Sequence, residues 1–268
     1  MRASSLKYLE IKIGETTHKL FCGDCIEVMD NLIEEGVKVT LIIADPPYNR
    51  GINYGVYRDK MPQEEYFEWC KEWLERCVRI LSDDGSLYVF NYPENNAKLL
   101  PFIEEKLIFK RWLTWHYPIN IGHSKKNYTR SQRSILFCVK SLKYKFNRDD
   151  ISLPYRNPND KRIKQRLKKG SRGRAPYDVF CFNIVKNVSR EKTEHPCQIP
   201  EKLLEIFIRA SSDIGDTVLD PFAGSFSTSV VAAKLGRSSI GIDISQEFFE
   251  IGKERLSKIA SSSLNSFK

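Results

Sequence analysis

A chain of 268 residues, 41% hydrophobic and 12% aromatic, can bury a core for one large α/β domain with an inserted lobe, or for two small domains, and this composition argues against disorder. No run approaches the roughly 18 apolar residues of a membrane span, the N-terminal stretch lacks the apolar core of a secretory leader, and seven cysteines, an odd number, suit reduced thiols; a soluble, cytoplasmic protein is expected. The net charge of +9 is segregated: residues 121–190 hold 19 Lys and Arg against 4 Asp, and the other 198 residues hold 24 basic against 30 acidic.

Residues 37–44, VKVTLIIA, form a continuous apolar, β-branched run, the pattern of a strand buried on both faces of a parallel sheet. It ends at Asp45-Pro46-Pro47-Tyr48, where neither proline can donate to a ladder. Helical spacing over 63–80 puts Tyr66, Trp69, Trp73 and Cys77 on one side. Ser82-Asp83-Asp84-Gly85 reads as a turn before a strand at 86–91. A helix at 94–106 and strands at 108–115 and 134–140 follow, the alternation of an α/β fold.

Between 141 and 190 the alternation stops. The stretch YRNPNDKRIKQRLKKGSRGRAPYD is polar, rich in Pro, Gly, Arg and Lys, and without a period, so it reads as an inserted lobe or a set of loops. A neutral-to-acidic scaffold carrying one strongly basic segment is the charge footprint of a nucleic-acid partner; a solvated surface with no partner is the plainer alternative. Regular structure resumes with a helix at 199–212 and a strand at 216–220. A PFAGS loop, a helix at 227–237 closed by Gly236, a strand at 238–243 and a helix at 246–256 complete a βαβα unit.

That unit has the form of a nucleotide-type site. A strand ends at Asp220, and a small-residue loop with Gly224 and Ser225 lets the backbone approach a ligand. The following helix offers free N–H groups, and Asp243, 23 residues after Asp220, stands where a carboxylate commonly accepts ribose hydroxyls; an ordinary tight βα turn with a strand-end carboxylate is the structural alternative.

The Asp45-Pro46-Pro47-Tyr48 cluster has a different rationale. Methylating an exocyclic amine requires its lone pair to be withdrawn from ring conjugation and aimed at a methyl donor. The Asp45 carboxylate and the Pro46 carbonyl can each accept one amine hydrogen, the prolines hold those acceptors rigid, and Tyr48 offers a face for a base extruded from a duplex. A strand stop with a satisfied aspartate is the structural alternative.

Together, DPPY and DPFAGS closely resemble the amino-methyltransferase family that makes N6-methyladenine or N4-methylcytosine in DNA. The likeness covers most of residues 17–140 and 190–258. The catalytic tetrapeptide precedes the basic segment and the cofactor loop comes last, which resembles the circularly permuted beta class. The resemblance implies a Rossmann-like fold dependent on S-adenosylmethionine, with a mainly parallel seven-stranded sheet and helices on both faces. It implies a catalytic half at 15–140, a basic target-recognition lobe at 141–190 and a cofactor-binding half at 191–260. It also implies methyl transfer to adenine N6 of double-stranded DNA, since Asp as first residue of the tetrapeptide resembles the adenine enzymes. A companion restriction endonuclease and a homodimer are partners consistent with it.

The cofactor-binding residues so implied are Asp24, within FCGDCIEVM, His195, within EHPCQIPEK, and Asp220, Pro221, Phe222, Ala223, Gly224, Ser225 and Asp243. Lys125, Lys126, Arg130 and Arg133 are the first candidates for DNA phosphate contacts, and Asn49–Gly55 reads as a mobile flap. Three positions depart from the family pattern: Phe226 where a second glycine is usual, Arg133 where an acidic residue is common, and Ile199 where a lysine is usual. Two rivals stand beside this reading. One is methylation of cytosine N4 or of an RNA amine; the other is a DNA-binding protein that has lost turnover, which Phe226 favours. No metal is expected, since Cys22 and Cys25 with nearby His18 lack a second ligand pair. Pro196-Cys197-Gln198 superficially matches carbon-5 cytosine methyltransferases but lies away from the position DPPY occupies.

Overall fold

In the computed structural model, which describes residues 7–53, 59–119, 125–185, 192–193 and 197–265, the apolar run becomes strand β3 (Val39–Ala44) at the centre of the sheet. Val39, Ile42 and Ala44 face one core and Leu41 and Ile43 the other, so burial on both faces follows from the absence of polar alternation. It pairs in parallel with β4 (Leu81–Asn91) on one side and β8 (Thr217–Asp220) on the other. Beyond β8 come β9 (Ser238–Asp243) and β2 (Thr16–Cys22), both parallel. Beyond β4 lies β6 (Gln132–Val139), antiparallel to β4 and to β5 (Ile108–His116).

These seven strands form the expected sheet, and two more extend it among the described residues. At one edge β1 (Lys7–Ile13) forms an antiparallel hairpin with β2 through Gly14, whose φ of 56° suits a tight turn. At the other, β7 (Val179–Cys181) pairs with β5 in parallel. The first escapes a search for buried strands because most of its residues are exposed, the second because it has three residues.

Residues 82–85 are not a turn before a strand. They bulge within β4, where pairing jumps from Val39 opposite Leu81 to Leu41 opposite Ser86. The basic segment is more regular than its composition suggests. Helix α4 (Lys161–Lys168) starts at Asp160, whose carboxylate accepts from the Arg162 and Ile163 N–H groups. Its apolar residues are only Ile163 and Leu167, one turn apart, too short a stripe to register as a period, and none of its residues is buried.

Helices α1 (Cys25–Glu34), α2 (Gln63–Ile80) and α3 (Pro93–Glu104) cover one face of the sheet. Along α2, Tyr66, Cys70, Trp73, Leu74, Cys77 and Ile80 are buried at three- and four-residue spacing. Helices α5 (Glu201–Ser211) and α6 (Ser227–Lys234) cover the other face, and α7 (Gln246–Asn265) packs on α6, β1 and β2. No described helix is long and apolar enough to cross a membrane.

Candidate active site

The chain leaves β8 through α6 toward β9, and leaves β3 through α2 toward β4, in opposite directions across the sheet. The carboxyl ends of the neighbours β8 and β3 therefore open a crevice, the place where such sheets bind ligands. Asp45 follows β3, Asp220 ends β8 and Asp243 ends β9, and all three line one cleft. Asp24, Pro46, Pro47, Tyr48 and the whole Pro221–Ser225 loop line it too, with Trp69, Phe222 and Phe248 as aromatic walls. The cleft with its adjoining solvent spans about 1170 Å³.

The tetrapeptide is held from behind. The Tyr66 hydroxyl donates to the Pro47 carbonyl (2.9 Å), and Asn91 Nδ2 donates to that hydroxyl (2.9 Å). Asn95 Nδ2 donates to the Tyr48 carbonyl (3.2 Å) and to Asn91 Oδ1 (2.9 Å). Sequence reasoning misses these positioning residues, because Tyr66 reads as one more buried position of an amphipathic helix. Just past the tetrapeptide, Asn49 adopts φ 58°, and Asp59 accepts from its N–H (2.6 Å) and from that of Arg50 (2.9 Å). The start of the expected flap is thus tied down; Tyr54 and Gly55 lie outside the described residues.

The Tyr48 hydroxyl donates to Asp45 Oδ1. Its ring is 6% exposed, with Tyr92 edge-on at 5.0 Å and the Arg133 guanidinium 5.1 Å from its centroid, so it is a covered wall of the cleft rather than an open stacking face. Arg133, expected on the DNA-facing surface, is 11% exposed, with Nη1 3.9 Å from Asp45 Oδ2. It lies in the cleft wall rather than among the exposed cations. Burial raises the Asp45 carboxyl above the usual carboxylate range, against the opposing pull of Arg133 and of the Tyr48 hydroxyl.

The opposite wall is built from backbone amides on carboxylates. Asp220 accepts from the Phe222 N–H (3.0 Å) and the Thr228 hydroxyl (2.6 Å); burial pushes its carboxyl up to about 7. Asp243 accepts from the N–H groups of Gly224 and Ser245, each at 2.8 Å, and burial raises it to about 6. Asp24 caps α1 through the Ile26 and Glu27 N–H groups (2.9 and 3.2 Å). Gly224 (φ 50°) and Phe226 (φ 58°) are both left-handed. The Phe226 ring is wholly buried where Gly241 and Gly252 leave room for it, so the loop keeps its path without the usual glycine.

Lys125 and Lys126 are exposed. Arg130 forms an ion pair with Glu94 (2.6 Å) and lies 3.9 Å from the Tyr92 centroid, and Arg50 meets the same two side chains. His195 lies outside the described residues. His18 spends both ring nitrogens on the Thr16 and Ser239 hydroxyls at 2.9 Å, and burial lowers it to about 4. Cys197, of the Pro-Cys-Gln tripeptide, lines the cleft as well.

A family model described as DNA methylase, covering N6 and N4 amino-methyltransferases, matches residues 39–254, which include both motif loops. The chain belongs to that family. Type II methyltransferase M.HpaI of Haemophilus parainfluenzae is 37% identical over 89% of this chain and 74% of its own length. DNA adenine methyltransferase YhdJ of Escherichia coli K12 is 35% identical over 91% and 84%. Among solved structures, an M1.HpyAVI–SAM complex matches with a TM-score of 0.65 at 23% identity, over 88% of this chain and 98% of that one. The cytosine-N4-specific PvuII DNA methyltransferase matches at 0.66 and 18%, over 92% and 93%. At these identities the two structures share the fold with this member of the family.

Proposed function

We propose that this protein transfers a methyl group from S-adenosylmethionine to adenine N6 of a base flipped out of double-stranded DNA, as the modification enzyme of a restriction–modification system. The observation that carries this reading is the meeting of Asp45 and Asp220 in one cleft, the amine-acceptor loop beside the nucleotide-type loop.

The cleft residues fit the donor. Asp243 and Asp24 would hold its ribose and adenine, and the Phe222–Ser225 loop with the start of α6 its methionine end, inside aromatic walls. Once bound, S-adenosylmethionine supplies an electrophilic sulfonium methyl. The protein's own task is geometric. The Asp45 carboxylate and the Pro46 carbonyl accept the two amine hydrogens, which favours a tetrahedral nitrogen with its lone pair aimed in line. Tyr48 orients the carboxylate by donating to Oδ1, which leaves Oδ2 for the amine. DNA contacts fall to exposed cations such as Lys125 and Lys126 and to α4.

Adenine is favoured over cytosine by the aspartate that opens the tetrapeptide and by the adenine activity in the name of the YhdJ relative. Phe226, the feature that favoured a protein without turnover, fills a recess shaped for it, and that rival loses its support. Expression in a methylation-free host, followed by mass spectrometry of the nucleosides, should yield N6-methyladenine. N4-methylcytosine, or no modified base, overturns the proposal.

A further inference from the structure

Arg133 stands where the family commonly carries an acidic residue, and its surroundings are specific. It comes from β6, its guanidinium lies 5.1 Å from the Tyr48 ring centroid and 5.0 Å from that of Trp115, and Nε and Nη1 are buried without a hydrogen-bond partner among the described residues. Nη1 lies 3.9 Å from Asp45 Oδ2, within Coulombic range but beyond a hydrogen bond.

We propose that Arg133 is a positioning residue that keeps Asp45 ionised in a buried cleft without occupying the carboxylate oxygen that the substrate amine needs. This rests on the proposed amine-acceptor role of Asp45. An ionised carboxylate accepts an amine hydrogen about twice as strongly as a protonated carboxyl, whose O–H also takes up one of the two oxygens, and burial works against that charge. The charged or titratable groups around Asp45 come from several elements. Tyr48 donates to Oδ1 from the same loop, and Asp220 at the end of β8, itself raised to about 7 by burial first and in part by Asp45, is a carboxyl that shares the cleft. Cys197, ahead of α5, faces Tyr48 and Arg133, and Arg133 is the cation paired with Asp45. Direct contact would use the lone pairs of Oδ2; a cation held a further ångström away by aromatic stacking supplies the field alone. The site therefore separates two needs, a fixed positive charge and a free acceptor.

The test is the pH dependence of single-turnover methylation at saturating S-adenosylmethionine for wild type, Arg133→Lys, Arg133→Gln and Arg133→Met, with melting temperature and calorimetric cofactor binding as controls. The neutral variants should lose about tenfold or more at pH 7, with the acid limb moved up by at least one pH unit and rate recovered near pH 9. Arg133→Lys should keep the wild-type limb. A loss that is equal at every pH, as a merely structural role would give, overturns the proposal, and so does no loss at all. Infrared difference spectra of wild type against Asp45→Asn supply a second readout that needs neither a neutral Arg133 variant nor turnover. They should show an ionised carboxylate at pH 7, and a protonated carboxyl there overturns the proposal. A wild type that methylates nothing but shows that carboxylate band would count against the methyltransfer reading and leave the charge role of Arg133 standing.

Discussion

Phe226 and Gly252 compete for one volume: a Cβ built on Gly252 would stand 2.3 Å from the Phe226 ring, and one on Gly241 would stand 2.7 Å from it. A left-handed phenylalanine costs roughly 1–2 kcal/mol of backbone strain, whereas emptying a buried phenylalanine site costs about 3–5 kcal/mol, so packing wins. Phe226→Gly should therefore destabilise the protein by about 2 kcal/mol or more in urea unfolding, although it restores the family's usual residue. Gly252→Ala should be destabilising in the wild type and nearly neutral in the Phe226→Gly background. Additive effects would refute the shared recess.

Asp45→Ala should abolish methyl transfer, by at least the 10²- to 10³-fold typical of removing one preorganised polar group. The calorimetric dissociation constant for S-adenosylmethionine should hardly change. Equal loss of turnover and of cofactor binding would argue against the amine-acceptor role.

Asp243 has a role on the other wall, where one oxygen holds the Gly224 N–H and the other that of Ser245. Asp243→Ala removes those charge-assisted bonds together with the acceptor offered to a ribose. The cofactor dissociation constant should rise about 10- to 100-fold, from about 1.5–3 kcal/mol for hydrogen bonds to a charged group. An unchanged constant refutes the ribose assignment.

The two cleft carboxyls make a signed prediction about pH. Asp220 is raised by burial from 3.8 to about 7, and Asp243 from 3.8 to about 6, so the folded state holds their protons more tightly than the unfolded chain. Their protonated forms contribute stability that is full below about pH 4. It is lost as pH rises toward 6 and 7, at a limiting rate of about 1.4 kcal/mol per pH unit for each group. The ligand-free melting temperature of the wild type should therefore fall more steeply between pH 4 and pH 7 than that of Asp220→Asn, which carries no titrating proton. Parallel slopes would show that Asp220 titrates normally.

Salt dependence should sort surface from buried cations. Lys125→Ala with Lys126→Ala should flatten the plot of log affinity for DNA against log salt by about 0.9 for each phosphate no longer neutralised. Arg133→Gln should leave that slope unchanged, because its guanidinium is covered by Tyr48 and Trp115. A flattened slope in Arg133→Gln would place that residue on the DNA.

Local pattern alone determined a good deal of this protein. The uninterrupted apolar run of β3, the period of α2 and the strand–helix–strand part of the unit from Thr217 onward are statements about which faces must leave water, and these elements formed close to their expected bounds, whereas α7, expected at 246–256, runs on to Asn265. The DPPY and DPFAGS loops were legible for a related reason, since proline and small residues at strand ends dictate backbone path over a few positions. Only the tertiary structure decided what long-range pairing controls. It set the jump in register that turns residues 82–85 into a bulge, and added the short edge strand β7 inside a basic segment. It gave Tyr66, Asn91 and Asn95 their hold on the tetrapeptide. It also moved Arg133 from a run of surface cations to a buried place beside Asp45, because β6 lies next to β4 and points that side chain into the cleft. A charge at a given sequence position has no sign of burial in it; the partner that makes burial tolerable is almost ninety residues away.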